Sequence, residues 1–174
     1  MNTSPDLSKV ANWSEYVSAQ REDIDEIKSM YREAREFLEF YDWCSEIEES
    51  YVGMLYPGLV AVFLFKISPA RNDVDEWIWV IVGDVPSAYL TTDECPNPAA
   101  ALDGYIGAML EWVEAAQKGN SVAELIPVNV PATKENGDKL KTRLDFLDER
   151  VLSEYQEDLK ASVAWVEQRE TRDK

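Results

Sequence analysis

Leu59-Val60-Ala61-Val62-Phe63-Leu64-Phe65-Lys66-Ile67 and, after a polar interval, Glu76-Trp77-Ile78-Trp79-Val80-Ile81-Val82 decide the fold. Both runs are short and rich in β-branched and aromatic residues. Gly58 and Pro69 bound the first, and Gly83-Asp84 closes the second, so both read as strands. Side chains alternate across a strand, which puts Trp77, Trp79 and Ile81 on one face and Ile78, Val80 and Val82 on the other. Both faces are apolar. A sheet of this kind needs cover on each side, from helices or from another subunit. Ala88 to Thr91 reads as a third, short strand. The intervals between the runs are short, which favours an antiparallel meander.

Toward the N-terminus the pattern becomes helical. Ile24, Ile27, Tyr31, Ala34, Leu38 and Tyr41 recur at steps of three and four. Phe40, Trp43, Ile47 and Tyr51 continue with the stripe rotated, which predicts two helices broken near residue 41 or one curved helix. Gly53 and Pro57-Gly58 end it. Residues 1–20 read as a partly ordered arm carrying Trp13 and Tyr16. Toward the C-terminus, Asn97-Pro98 supplies an N-cap and a proline at the first helical position. Leu102, Ile106, Met109, Val113 and Ala116 form the buried stripe, and Gly119 is the stop. Gly104 and Gly107 lie on this helix, where they would allow close packing onto the sheet. Ser121 to Glu124 fits a capping box for one short turn, ended by Pro127. A long amphipathic helix starts near Thr133 or Asp138 and carries Leu140, Leu144, Leu147, Val151, Tyr155, Leu159, Val163 and Val166. The expectation is an α+β protein: a small antiparallel sheet of about three strands, packed by N- and C-terminal helices. Residues 21–174 would form a single domain whose final helix lies across it or reaches a partner.

At 174 residues, 45% apolar and 11% aromatic, the chain can build a sizeable core. It holds 34 acidic and 17 basic residues, net −17, and no histidine. Affinity for phosphate backbones comes from surplus Lys and Arg, so no nucleic-acid partner is expected. Lack of histidine excludes Ser-His-Asp and Cys-His catalysis and His-ligated zinc or haem. Two cysteines, Cys44 and Cys95, are too few for a zinc site or a disulfide framework. The periodicity places Cys44 on the buried flank of a helix, and Pro96 beside Cys95 suggests an exposed or half-exposed thiol. Residues 1–10 lack the basic and apolar regions of a signal peptide, and no apolar run approaches the roughly 20 residues of a membrane helix. These readings predict a cytoplasmic protein without cofactor, metal or membrane partner.

The acidic excess is uneven. Residues 21–50 hold 11 acids and 4 bases, residues 68–132 hold 10 and 2, and residues 133–174 hold 11 and 9. On the helical reading, Glu39, Asp42, Glu46 and Glu49 form one row beside an apolar stripe. That row is either a solvated face or a docking face for a basic partner. Asp73, Asp75, Glu76 and Asp84 are the candidates in the second acidic tract. Asp23-Ile-Asp25 and Asp73-Val-Asp75 lack the ligand count of a divalent-cation site. Val82-Gly83-Asp84-Val85-Pro86 reads as a tight turn rather than a catalytic strand end.

Trp79-Val80-Ile81-Val82-Gly83-Asp84-Val85-Pro86-Ser87-Ala88-Tyr89-Leu90 resembles a motif of an uncharacterised family of small acidic bacterial proteins. Tyr51-Val52-Gly53, Pro57 to Phe63 and Ala101 to Ile106 are similar too, so the resemblance spans about residues 43–150. It implies a bacterial cytoplasmic protein and supplies no catalytic residues. In size, acidity and lack of chemistry the chain also resembles immunity proteins that neutralise toxins. The functional expectation is a non-catalytic acidic binding protein, an immunity or inhibitor protein that occludes a basic toxin domain. Two alternatives stand beside it. One is an enzyme using carboxylates, with or without a divalent cation. The other is a homodimeric structural or regulatory module.

Overall fold

The computed structural model describes residues 4–172. One antiparallel sheet of five strands runs through it in sequence order: β1 (Ala11–Asn12), β2 (Cys44–Tyr56), β3 (Val60–Pro69), β4 (Trp77–Gly83) and β5 (Ala88–Thr91). The α+β class and the meander are as expected, with β1 and β2 added to the three expected strands. β3 and β4 pair antiparallel with Leu64 opposite Trp79, and both are buried along almost their whole length.

Each face of the sheet has its helical layer, as the two-sided apolar strands demand. Helices α1 (Trp13–Ala19) and α2 (Ile24–Glu39) cover one face. There Met30, Ala34 and Leu38 pack with Phe63, Phe65, Ile78 and Val80. Trp13 stacks on Tyr31 with ring centroids 4.0 Å apart and so fastens α1 to α2. Helices α3 (Pro98–Lys118), α4 (Lys134–Phe146) and α5 (Gln156–Arg172) lie on the other side. Leu102, Tyr105, Met109 and Trp112 of α3 and Leu140 and Leu144 of α4 pack with Leu64, Trp79 and Ile81. Helix α3 begins and ends as its caps dictate: Asn97 accepts from Ala100 N, and Gly119 closes it in the left-handed region.

Four local expectations need correction. Residues 44–56 are a strand, not a helix. Register shifts fall between Cys44 and Glu46, Ile47 and Glu49, and Val52 and Met54. Each bulge inserts an extra residue. The half-buried positions Cys44, Ile47 and Ser50 therefore recur every third residue and imitate a helical stripe. The final helix is interrupted: a π-helical turn (Leu147–Val151) and a 3-10 turn (Leu152–Tyr155) separate α4 from α5. Past that break the stripe leaves the core, and Val163 is 58% exposed. Ser121 to Glu124 forms a short turn, as expected, with Ala123 N donating to Ser121 Oγ. Cys95 is buried and Cys44 half-buried. Both are free, and they belong to opposite faces of the sheet. Gly104 approaches Leu90 and Cys95 closely, whereas a side chain at Gly107 would meet nothing within 4 Å.

Candidate functional site

Strand register decides where the acids go. Cys44 lies opposite Pro69, Lys66 opposite Trp77, and Ile78 opposite Thr91. The starts of β2 and β4 and the ends of β3 and β5 therefore share one end of the sheet. Two acidic tracts, separate in sequence, meet there: Asp42, Glu46, Glu48 and Glu49 from the first, and Asp73, Asp75, Glu76 and Asp93 from the second. Lys66 Nζ sits between them, 3.9 Å from Glu48, 3.8 Å from Glu49 and 3.7 Å from Glu76. Arg71 reaches Asp73 at 3.4 Å, and Arg169 of α5 reaches Asp93 at 3.7 Å. These are long pairs between exposed or half-buried side chains, each worth at most about 1 kcal/mol.

The candidate residues are thus regrouped. Glu39 closes α2 and is bound by Arg35 Nε at 2.9 Å. Asp42 is in the turn after α2, and Glu46 and Glu49 are on β2, so no helical carboxylate row exists. Asp73 and Asp75 lie in the β3–β4 connection with Glu76 beside them, at the same end of the sheet as Glu46 and Glu49. Asp84 stands apart, at the far end of β4, where Arg143 Nε donates to it at 3.1 Å.

An aromatic cluster adjoins the acids. Tyr41 stacks on Trp43 at 5.0 Å, and Tyr89 meets both edge-on at 5.2 and 5.1 Å. Phe40, next to Tyr41, is 85% exposed, an unusual state for a phenylalanine. The helical reading hid this cluster by assigning Phe40 and Trp43 to a buried stripe. The available signal was the density of rings at Phe37, Phe40, Tyr41 and Trp43.

Three depressions run side by side along residues 83–91. The first, about 190 Å³, is lined by Trp43, Arg71, Asp73, Asp75, Tyr89 and Thr91, among others. The second, about 740 Å³, has Tyr89 in common with it. Its walls are Phe37 and Tyr41 on one side and residues 126–129 on the other, with residues 86–89 between them. The third, about 370 Å³, lies beyond Pro86 toward Asp84, Lys139 and Arg143. The lining of the large middle depression contains no carboxylate, amine or thiol. Among the described residues no group of three or more His, Cys, Asp or Glu side chains is arranged to hold a metal ion. None of the helices among the described residues is long and apolar enough to cross a membrane. The Cys95 thiol, which donates to Ala100 O, is pushed up to about 11 by burial and by Glu94 and Asp103, far from an activated nucleophile.

Crowding of acids has a pH consequence. Burial and then Asp93 raise the Asp75 carboxyl above its ordinary range, against the pull of Arg169. Burial and then Asp148 raise Asp103. As pH falls, the native chain takes up these protons before the unfolded chain does. Stability therefore rises as pH falls toward the carboxylate range and is lost again as pH rises. Glu114, Glu135 and Asp138 are held below their usual range by hydrogen bonds from Lys118, Lys139 and Lys134, so their contribution is lost only in stronger acid. The expected result is a gain in Tm on acidification into the carboxylate range, lessened by Asp75→Asn. A Tm that falls steadily from neutral pH would contradict it. Comparison of the chain with protein-family models, with curated proteins and with solved structures returns no match.

Proposed function

We propose that this chain is a non-catalytic acidic binding protein that neutralises a basic protein partner by covering it, in the manner of an immunity protein against a toxin domain. One observation carries the reading: Trp43 and Tyr89 line the same depression as Asp73 and Asp75, at the end of the sheet where both acidic tracts converge. Complementary charge steers an approaching basic surface and fixes its register. Exposed rings then provide anchors, because interface energy concentrates in a few aromatic and arginine residues.

Phe40→Ala tests this. The side chain is 85% exposed, so its loss should change stability by no more than about 0.5 kcal/mol. The tagged chain should retain a basic protein from a lysate of its source organism, and Phe40→Ala should weaken affinity for that purified protein by about 1 kcal/mol or more. Failure to retain any basic protein, or equal affinity of the variant, would overturn the reading.

A further inference from the structure

The sheet has two open edges, and they are built differently. β1 covers only Tyr51 and Val52 of β2, so among the described residues the stretch Cys44–Ser50 has no strand on its outer side. That stretch carries Glu46, Glu48 and Glu49, the kind of charge that keeps an exposed edge from pairing with other chains. β5 is the opposite edge and pairs only with β4. Its sequence, Ala88-Tyr89-Leu90-Thr91, has no charge at all. The depression of about 740 Å³ has residues 86–89 as its floor, with walls from α2 and from residues 126–129 on opposite sides.

We propose that this slot receives one extended, basic segment of a partner protein, which adds to β5 as a further strand; the proposal rests on the reading of the chain as a binder of basic proteins. Backbone groups on the outer side of β5 supply the pairing, and alternate side chains of the segment contact the two walls, the general logic of strand addition. Phe37 and Tyr41 wall one side, and Ile126, Pro127 and Val128 the other.

Charge fixes which end of the segment is basic. Beyond Tyr89 the slot opens on Asp73 and Asp75; Arg71, the single base in that lining, pairs with Asp73 at 3.4 Å, which leaves one carboxylate in excess there. At the other end the charges are already matched, Asp84 to Arg143 and Glu135 to Lys139. Lysine or arginine of the segment therefore lies at the Thr91 end of β5. A second copy of the chain is disfavoured as occupant. It would bring its own α2 and residues 126–129 into the space between the walls, and it would carry a further −17 of charge.

A phage-displayed library of random peptides about nine residues long, within the usual span of a strand, supplies the probe. Peptides selected on the full chain should alternate apolar positions and carry lysine or arginine toward one end. A synthetic copy of a selected peptide should bind about tenfold more weakly to Tyr89→Ala, and to the Asp73→Lys, Asp75→Asn double variant. N-methylation of alternate backbone amides should abolish its binding. Absence of selected peptides, selection without basic residues, or undiminished binding after N-methylation would overturn the slot. So would a dimer in sedimentation that Tyr89→Lys dissociates, since the occupant would then be a second copy. A basic partner captured through Phe40, with which a selected peptide does not compete, would sink the slot alone. Peptides bound as described, with no basic protein retained from the lysate, would sink the functional reading alone.

Discussion

Trp79→Ala should remove about 4 kcal/mol of stability. The side chain is fully buried in β4, one of the central strands, and packs in the cluster formed with α3 and α4. Its Nε1 donates to Cys95 O at 2.8 Å, tying the connection after β5 to the sheet. Truncation leaves a large cavity and takes the donor from a buried carbonyl, each a known route to a loss above 1 kcal/mol. Against a typical total of 5–15 kcal/mol the variant would be close to unfolding at 37 °C. Trp79→Phe separates the two terms, since it keeps most of the volume and loses only the donor, at about 1–2 kcal/mol. Urea unfolding followed by circular dichroism measures both. A shift of less than about 1.5 kcal/mol for the alanine variant would show that this layer is not packed as described.

Gly83→Ala should cost about 3 kcal/mol, although it adds one methyl group. Gly83 has a φ of 139°, which L side chains rarely adopt. An added Cβ would lie 2.3 Å from Leu59 O and 2.8 Å from Val60 Cα, both backbone atoms that cannot swing aside. The displaced carbonyl is also the acceptor for Asp84 N at 2.9 Å. Gly107→Ala provides the opposite sign. It lies within α3, and nothing stands within 4 Å of its added Cβ, so helix propensity should raise stability by about 0.5–1 kcal/mol. Thermal unfolding of the two variants side by side should move Tm in opposite directions. A neutral Gly83→Ala would contradict the backbone crowding at the β4 exit.

What could be read from the sequence was whatever one period governs. β3 and β4 alternate without interruption, so their faces, their pairing and the need for two helical layers were legible. Helix α3 carries its own punctuation in Asn97, Pro98 and Gly119. β2 was illegible because its bulges replace the two-residue period with steps of three. That one misreading also placed Glu39, Asp42, Glu46 and Glu49 in a helical row. Acidic tracts were visible as composition, but their convergence depends on strand register, a long-range property with no local signature. The aromatic depression was hidden for the same reason, since Tyr89 joins Tyr41 and Trp43 only through the folded sheet. Cys95 was misplaced because its burial comes from α3 packing over β5, not from its neighbours in sequence.

The most direct measurement of the central claim is the association rate of the basic partner at two ionic strengths, for the wild-type chain and for the Asp42→Lys, Glu46→Lys, Glu49→Lys triple variant. All three side chains are exposed, so the variant should fold; Asp42→Lys and Glu46→Lys should each change stability by about 0.5 kcal/mol or less, and Glu49→Lys by somewhat more, because it sets a like charge beside Lys66. Exposed charges are screened over roughly 8 Å at physiological salt, so steering by this end of the sheet must weaken as salt rises. The account predicts a wild-type rate that falls steeply with salt, and a variant rate about tenfold lower at low salt with little further dependence. Equal rates and equal salt dependence for the two proteins would contradict it.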